Sequence, residues 1–195
     1  MDVILYSVPH TGTRFAVAYL EQLGISCKQM HPSERTDIDL LYKEGSKLVI
    51  PVRDPLLTYL SWMGRTNWIN RAAPRSVADP LYTLETVCDC YERMLDKEKT
   101  FDHTHMRLDT KARVAELKKI AKFVGKEYQP YEWEPLGVNG DKPTDYDRWE
   151  KQTDRWEERL IDIHPKLIHH WPKHSIIDKI LKCLKPYRDY YGYVN

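Results

Sequence analysis

The chain has 195 residues, enough for one domain with at most a long C-terminal extension. Hydrophobic residues make up 42% and charged residues 30%, which excludes a disordered tail and supplies a core. Thirty Lys plus Arg against 29 Asp plus Glu give a net charge of +1, so bulk charge argues for neither a nucleic-acid coat nor a polybasic membrane anchor. Any anion site must be local.

Val3 to Val8 is a short apolar run that reads as a buried strand starting at once. No basic region precedes it, so it does not read as a secretory signal. Pro9-His10-Thr11-Gly12-Thr13 follows as a loop. Arg14 to Leu23 reads as a helix with Phe15, Ala18, Tyr19 and Leu23 on one face and Gly24 as its stop. Ile25 to Met30 reads as a second strand, broken at His31-Pro32-Ser33. A short helix is expected over Asp37 to Glu44. Lys47 to Val52 reads as a third strand ending at Arg53-Asp54-Pro55, and Leu56 to Met63 as a helix.

Gly64 to Asp79 reads as a loop or lid. Asp79 and Pro80 form an N-cap and first-turn signal for a helix whose stripe is Leu81, Leu84, Val87, Cys88, Tyr91 and Leu95. His103 to Leu108 reads as a fourth strand. Lys111 to Val124 is an expected helix stopped by Gly125. Past that glycine the character changes. Tyr128 to Thr144 is proline-broken and irregular, Tyr146 to Ile163 is a charged helix, and Ser175 to Leu184 is a last helix with Ser175 and Asp178 resembling a capping box.

This order is that of an α/β fold: a three-layer domain with a mostly parallel central sheet of about four to five strands, helices on both faces, and a helical or irregular C-terminal part. One domain is expected over 1–195, with a nucleotide-binding core over 1–125 and an extension over 126–195 packed on it. Parallel sheets bind ligands at their strand carboxyl ends. Loops 9–13, 31–33 and 53–55 would share that edge. Cys27, Cys88, Cys90 and Cys183 are too few and scattered for a disulfide framework, and no run is long and apolar enough to span a membrane, so a cytoplasmic protein is the expectation.

The first loop joins a strand to a helix, whose N-terminus offers unpaired N–H groups and a positive dipole end. Gly12 permits close backbone approach, Thr11 and Thr13 supply hydroxyls, and His10 and Arg14 supply charge, which together make a phosphate cradle. A plain turn needing Gly12 for geometry and Thr13 for capping is the alternative. The spacing is not that of the ordinary nucleoside-triphosphate loop. In the third loop Arg53 offers a planar fork for phosphate, and Ser61, about two helical turns on, adds a hydroxyl. Arg53 paired with Asp54 or a helix-end carboxylate is the alternative there.

As an ordered pair these segments resemble the sulfotransferase family. Pro9-His10-Thr11-Gly12-Thr13-Arg14-Phe15 is similar to its 5′-phosphosulfate loop, Pro-Lys-Ser-Gly-Thr-Thr-Trp, and Val52-Arg53-Asp54-Pro55 through Ser61 is similar to its 3′-phosphate motif. Leu117 to Gly125 resembles the family's helix ending in Phe-Leu-Gly, and Arg107-Leu108-Asp109 loosely matches its Tyr-Glu-Asp. The likeness runs over about residues 3–125.

The resemblance implies 3′-phosphoadenosine 5′-phosphosulfate (PAPS) as donor, adenosine 3′,5′-bisphosphate (PAP) as product, and sulfuryl transfer to a hydroxyl of a small molecule or carbohydrate. No metal, nucleic acid or membrane is required. It assigns Thr11, Gly12, Thr13 and Arg14 to the phosphosulfate, Arg53 and Ser61 to the 3′-phosphate, and Phe15 to the adenine or, equally, to helix packing. The acceptor hydroxyl must lose a proton, and a histidine suits that work near neutral pH. His31 stands at the strand end beside both loops and precedes Arg53 by the spacing at which cytosolic sulfotransferases carry their catalytic histidine, with Glu34 as fallback. The family has lysine or arginine where this chain has His10, so either His10 assists the leaving phosphate, Arg14 replaces it, or activity is weak or lost.

Trp62, Asn67, Trp68 and Arg71 read as lid packing or as an acceptor wall, and Lys142 as a basic contact from a late loop. His103, His105, His164, His169, His170 and His174 show no ligand spacing backed by carboxylates or thiols, and His169-His170 reads as surface. Two other functions compete: a small nucleotide kinase or phosphotransferase, which would want a loop lysine and an acidic metal site with Asp54 as the obvious candidate, and a non-catalytic nucleotide-binding relative.

Overall fold

Apolar residues fill both faces of the two central strands, and this calls for helices on both sides of the sheet. The structure, a computed structural model, describes residues 2–32, 38–40, 43–62, 80–107, 112–131 and 173–193. Strand β1 is Val3–Tyr6, helix α1 Thr13–Gln22, β2 Cys27–Met30 and β3 Lys47–Val52. Helix α2 covers residues 55–62. Helix α3 is Pro80–Glu98, β4 His103–Arg107, α4 Arg113–Phe123 and α5 Lys173–Tyr190. The four strands are all parallel, in the order β2-β1-β3-β4. The expected three-layer α/β architecture is the observed one.

Strand alternation sorts the core into two halves. Val3, Leu5, Val49 and Met106 point to the face covered by α1 and α4, where they meet Phe15, Tyr19, Leu117 and Ile120. Ile4, Tyr6, Leu48, Ile50 and Val52 point to the opposite face, under α2, α3 and α5. Tyr19 is buried whole, so its hydroxyl must be satisfied; it donates to the Leu117 carbonyl at 3.0 Å, and burial pushes its pKa up to about 12.

Several boundaries differ from the sequence reading. The second strand starts at Cys27, because Ile25 still closes α1 through its N–H to the Leu20 carbonyl past Gly24. Within Asp37 to Glu44 the described residues hold a single 3-10 turn, Ile38–Leu40. The last helix is longer than expected at both ends. It begins at Lys173, so Ser175 lies inside its first turn and is no N-cap, and it continues through Pro186. Proline costs an interior helix a hydrogen bond. Here tertiary packing offsets that cost: Tyr187 stacks on Tyr91 at 5.2 Å, and Ile180, Leu184, Tyr187 and Tyr191 all join the core beside α3. Asp79, the stretch Gly64 to Asp79 and the helix expected over Tyr146 to Ile163 lie outside the described residues.

Arg188, beyond that proline, reaches back to the loop after β3. Its Nε and Nη2 donate to Asp54 Oδ1 and Oδ2, each at 3.1 Å, with both side chains about six-sevenths covered. Asp54 also caps α2, accepting the Leu56 N–H at 2.8 Å with Pro55 at the first helical position. Removing one member of such a pair strands the other charge. Arg188→Ala and Asp54→Ala are each expected to destabilise the fold by about 3 kcal/mol. A double-mutant cycle by urea denaturation checks this: the double variant should lose clearly less than the two single losses added together.

Candidate functional site

A ligand crevice in an open parallel sheet forms where chain connections leave in opposite directions. In this sheet that point lies between β1 and β3. From β1 the chain passes through α1 to β2 on one side, and from β3 it passes to β4 on the other. The carboxyl ends there carry the first loop and Arg53. His31 ends β2 at the same edge.

The first loop is held in an uncommon backbone shape. His10 has φ 73°, unusual for a residue with a side chain, and Gly12 has φ 101° and ψ 26°. Gly12 is the N-cap of α1 and brings no side chain to it, so no side-chain cap covers the first-turn N–H groups. The first helical bond runs from Ala16 N–H to the Gly12 carbonyl.

The hydroxyls expected to face an anion turn inward instead. Thr11 is almost fully buried and donates to the Val8 carbonyl at 2.8 Å. Thr13 lies 2.9 Å from the Ser7 hydroxyl, which is itself buried. Buried hydroxyls must be satisfied nearby, and the loop's own carbonyls and Ser7 do this. The donors left to the cradle are backbone groups of the first turn, with Arg14 exposed beside them. Phe15 points into the core, edge-on to Tyr131 at 5.3 Å, which is the packing alternative.

Two contacts knit the edge together. His10 Nδ1 lies 3.3 Å from Ser61 Oγ, and its ring lies 5.9 Å from that of Trp62, so the first loop and α2 meet across the crevice. At the other side His31 Nδ1 lies 2.7 Å from the Ser7 carbonyl and 3.4 Å from Ser7 Oγ. A carbonyl only accepts, so Nδ1 carries the proton and Nε2 presents its lone pair. The Gln29 amide lies 3.0 Å from that Nε2 as its partner. Through Ser7, His31 is coupled to Thr13 and hence to the start of α1.

Arg53 is half-buried at the end of β3. Asp54 beside it pairs with Arg188. The Tyr91 hydroxyl stands 3.4 Å from the Arg53 carbonyl and 3.3 Å from Thr58 Oγ1, bracing this loop from α3. Sequence reading missed Ser7, Gln29, Tyr91 and Arg188. Ser7 left a trace as the one aliphatic hydroxyl in a buried apolar run. Arg188 left none. Glu34, Asn67, Trp68, Arg71 and Lys142 lie outside the described residues.

One histidine reading is corrected by the fold. His103 and His105 do have a carboxylate neighbour: Glu98 Oε2 lies 3.0 Å from His105 Nε2 and 3.9 Å from His103 Nε2. The strand alternation puts both imidazoles on one face, and the turn after α3 returns Glu98 to it. His164, His169 and His170 lie outside the described residues.

A family-model scan and a search of curated proteins find no match to this chain. No helix among the described residues is long and apolar enough to cross a membrane.

The positive φ makes Gly12 the loop's most constrained residue. A Cβ there forces a left-handed L-residue and costs about 1 kcal/mol or somewhat more. Gly12→Ala should therefore fold with a lowered Tm in a thermal melt, whereas Thr11→Val, which removes the buried Val8 bond, should show a loss of similar size.

Proposed function

We propose that the chain is a sulfotransferase of the PAPS-dependent family. The observation that carries this reading is the His10–Ser61 contact at 3.3 Å, which brings the phosphosulfate-type loop and the helix after Arg53 together at the sheet's switch point. A 3′-phosphoadenosine 5′-phosphosulfate hangs two anionic groups from one ribose. It needs two anion sites a short distance apart, one backbone-built and one guanidinium-built.

In this reading the first-turn N–H groups after Gly12 and the Arg14 side chain hold the 5′-phosphosulfate. Arg53 and Ser61 hold the 3′-phosphate, and the bisphosphate takes over the bonds that His10 and Ser61 now make to each other. The acceptor hydroxyl, on a small molecule or a carbohydrate, attacks sulfur in line with the bond to the bridging oxygen. The new O–S bond forms as the bridging S–O bond breaks, and PAP leaves. His31 Nε2, once the acceptor has displaced the Gln29 amide from it, takes the acceptor's proton, its ring held by the Ser7 carbonyl at Nδ1. The protein contributes position and charge stabilisation rather than a covalent intermediate.

His10 is the position where a cation stands in the family. Once the nucleotide has displaced its contact with Ser61, a His10 ring N–H can donate to the departing phosphate oxygen. The kinase alternative needs an acidic metal ligand in the third loop. Asp54 is committed to Arg188 and to the α2 cap, which counts against it. The absence of a disulfide among the described cysteines suits a cytoplasmic setting.

Calorimetry with PAP against AMP, free of metal, tests the nucleotide half. The native chain should prefer PAP, and Arg53→Ala should lose that preference by at least about tenfold, a change of about 1.4 kcal/mol. His31→Ala should bind PAP as the native chain does while sulfate transfer to a panel of hydroxyl acceptors falls by about a hundredfold or more. Normal transfer in His31→Ala removes the base assignment, and equal affinity for PAP and AMP removes the donor.

A further inference from the structure

Away from the crevice, Glu98, His103 and His105 bring three ligand-type atoms within 4.8 Å of one another. We propose that they form a zinc site that clamps the end of α3 to β4 beneath the end of α5.

The geometry is that of two imidazoles and a carboxylate. His105 Nε2 is 3.0 Å and His103 Nε2 3.9 Å from the same oxygen, Glu98 Oε2. Ligands around one zinc, each about 2 Å from it, stand roughly 3 to 3.5 Å apart. No separation among the three atoms exceeds 4.8 Å, so side-chain rotations that move them by about 1 Å bring all three to that spacing. The nitrogen-rich set selects against calcium and magnesium, which take oxygen ligands.

Two independent features point to a cation among these atoms. His103 Nδ1 lies 3.0 Å from the Phe101 carbonyl, so Nδ1 carries a proton, and in the neutral ring Nε2 faces the carboxylate with its lone pair. Two electron-rich groups turned toward each other are satisfied by a positive centre between them. His105 Nε2 is buried and close to Glu98, yet it makes no properly directed hydrogen bond.

The surroundings supply what a zinc site needs around its ligands. The Phe101 carbonyl orients His103. Tyr190 and Tyr191 donate to Glu98 Oε2 and Oε1 at 2.9 and 2.8 Å, fixing the carboxylate from α5. The carboxylate side chain is 1% exposed while the imidazoles are 27% and 30% exposed, which leaves an entry path on the histidine side. His103 opens β4, at the strand end opposite the one that carries the anion crevice, so the role is structural.

The full-length chain, stripped with a chelator and dialysed, is titrated with zinc chloride alone by calorimetry. One zinc per chain is expected, with a dissociation constant of about 1 µM or lower, and a Tm that rises with zinc concentration. His103→Ala and His105→Ala should each weaken binding by at least about tenfold, and the double variant should abolish this site and the Tm rise. Cobalt(II) added to the stripped native chain should give the intense visible bands of a four- or five-coordinate site. Absence of stoichiometric zinc binding overturns the proposal, as does equal binding by the folded double variant. Should the double variant not fold, the cobalt spectrum decides: weak octahedral bands overturn the site.

Discussion

Asp54 holds the carboxyl end of β3 in place, and the candidate site depends on that. Its carboxylate serves two masters, capping α2 through Leu56 and closing a two-pronged pair with Arg188. The first bond fixes the direction in which α2 leaves the sheet and so places Ser61 over the first loop. The second ties the loop to α5, which is otherwise remote in sequence. Arg53, the preceding residue, stands half-buried at the end of β3 beside this pair.

The first loop makes the complementary point about how anions are bound. A side-chain hydroxyl that must hold the loop in shape is not at the same time available to a ligand. Thr11 and Thr13 spend theirs on the Val8 carbonyl and on Ser7. What they secure is the left-handed backbone at His10 and Gly12, and with it the aim of the first-turn N–H groups. The positive end of a helix can be directed only by fixing the chain that enters it. These threonines act on an anion through geometry rather than by touching it.

The fold was largely readable because its signals are local. Continuous apolar runs at Val3 to Val8 and Lys47 to Val52 mark doubly covered strands, and the strand–helix alternation marks a parallel sheet, which fixes the site's edge before any side chain is placed. Asp54-Pro55 announces the start of α2, and Pro80 the start of α3. The misreadings share one cause, which is dependence on partners distant in sequence. Pro186 predicts a helix end, and only the packing of Tyr187 and Tyr191 against α3 carries the helix past it. Glu98 cannot be joined to His103 and His105 from spacing alone, since that needs both the strand alternation and the turn after α3. Phe15 illustrates a different limit. A helix aromatic at a motif position reads equally as ligand contact or core, and only the side on which the sheet lies decides.

His10 poses the sharpest chemical question, and its backbone bears on the answer. A lysine at this point would be a strongly hydrated charge on a flexible stem. An imidazole at φ 73° is short and stiff, and Ser61 and Trp62 border it from α2. Its ring is therefore oriented before any ligand arrives, and less rotational freedom is lost when it donates. What it gives up is permanent charge. Arg14, exposed in the first turn of α1, would supply that charge in the proposed reaction. In the proposed sulfotransferase the task of one lysine would be divided between a positioned donor, His10, and the nearby cation of Arg14. Such a division favours a leaving group whose negative charge is already held by the helix end, because the donor then needs only to direct a single hydrogen bond.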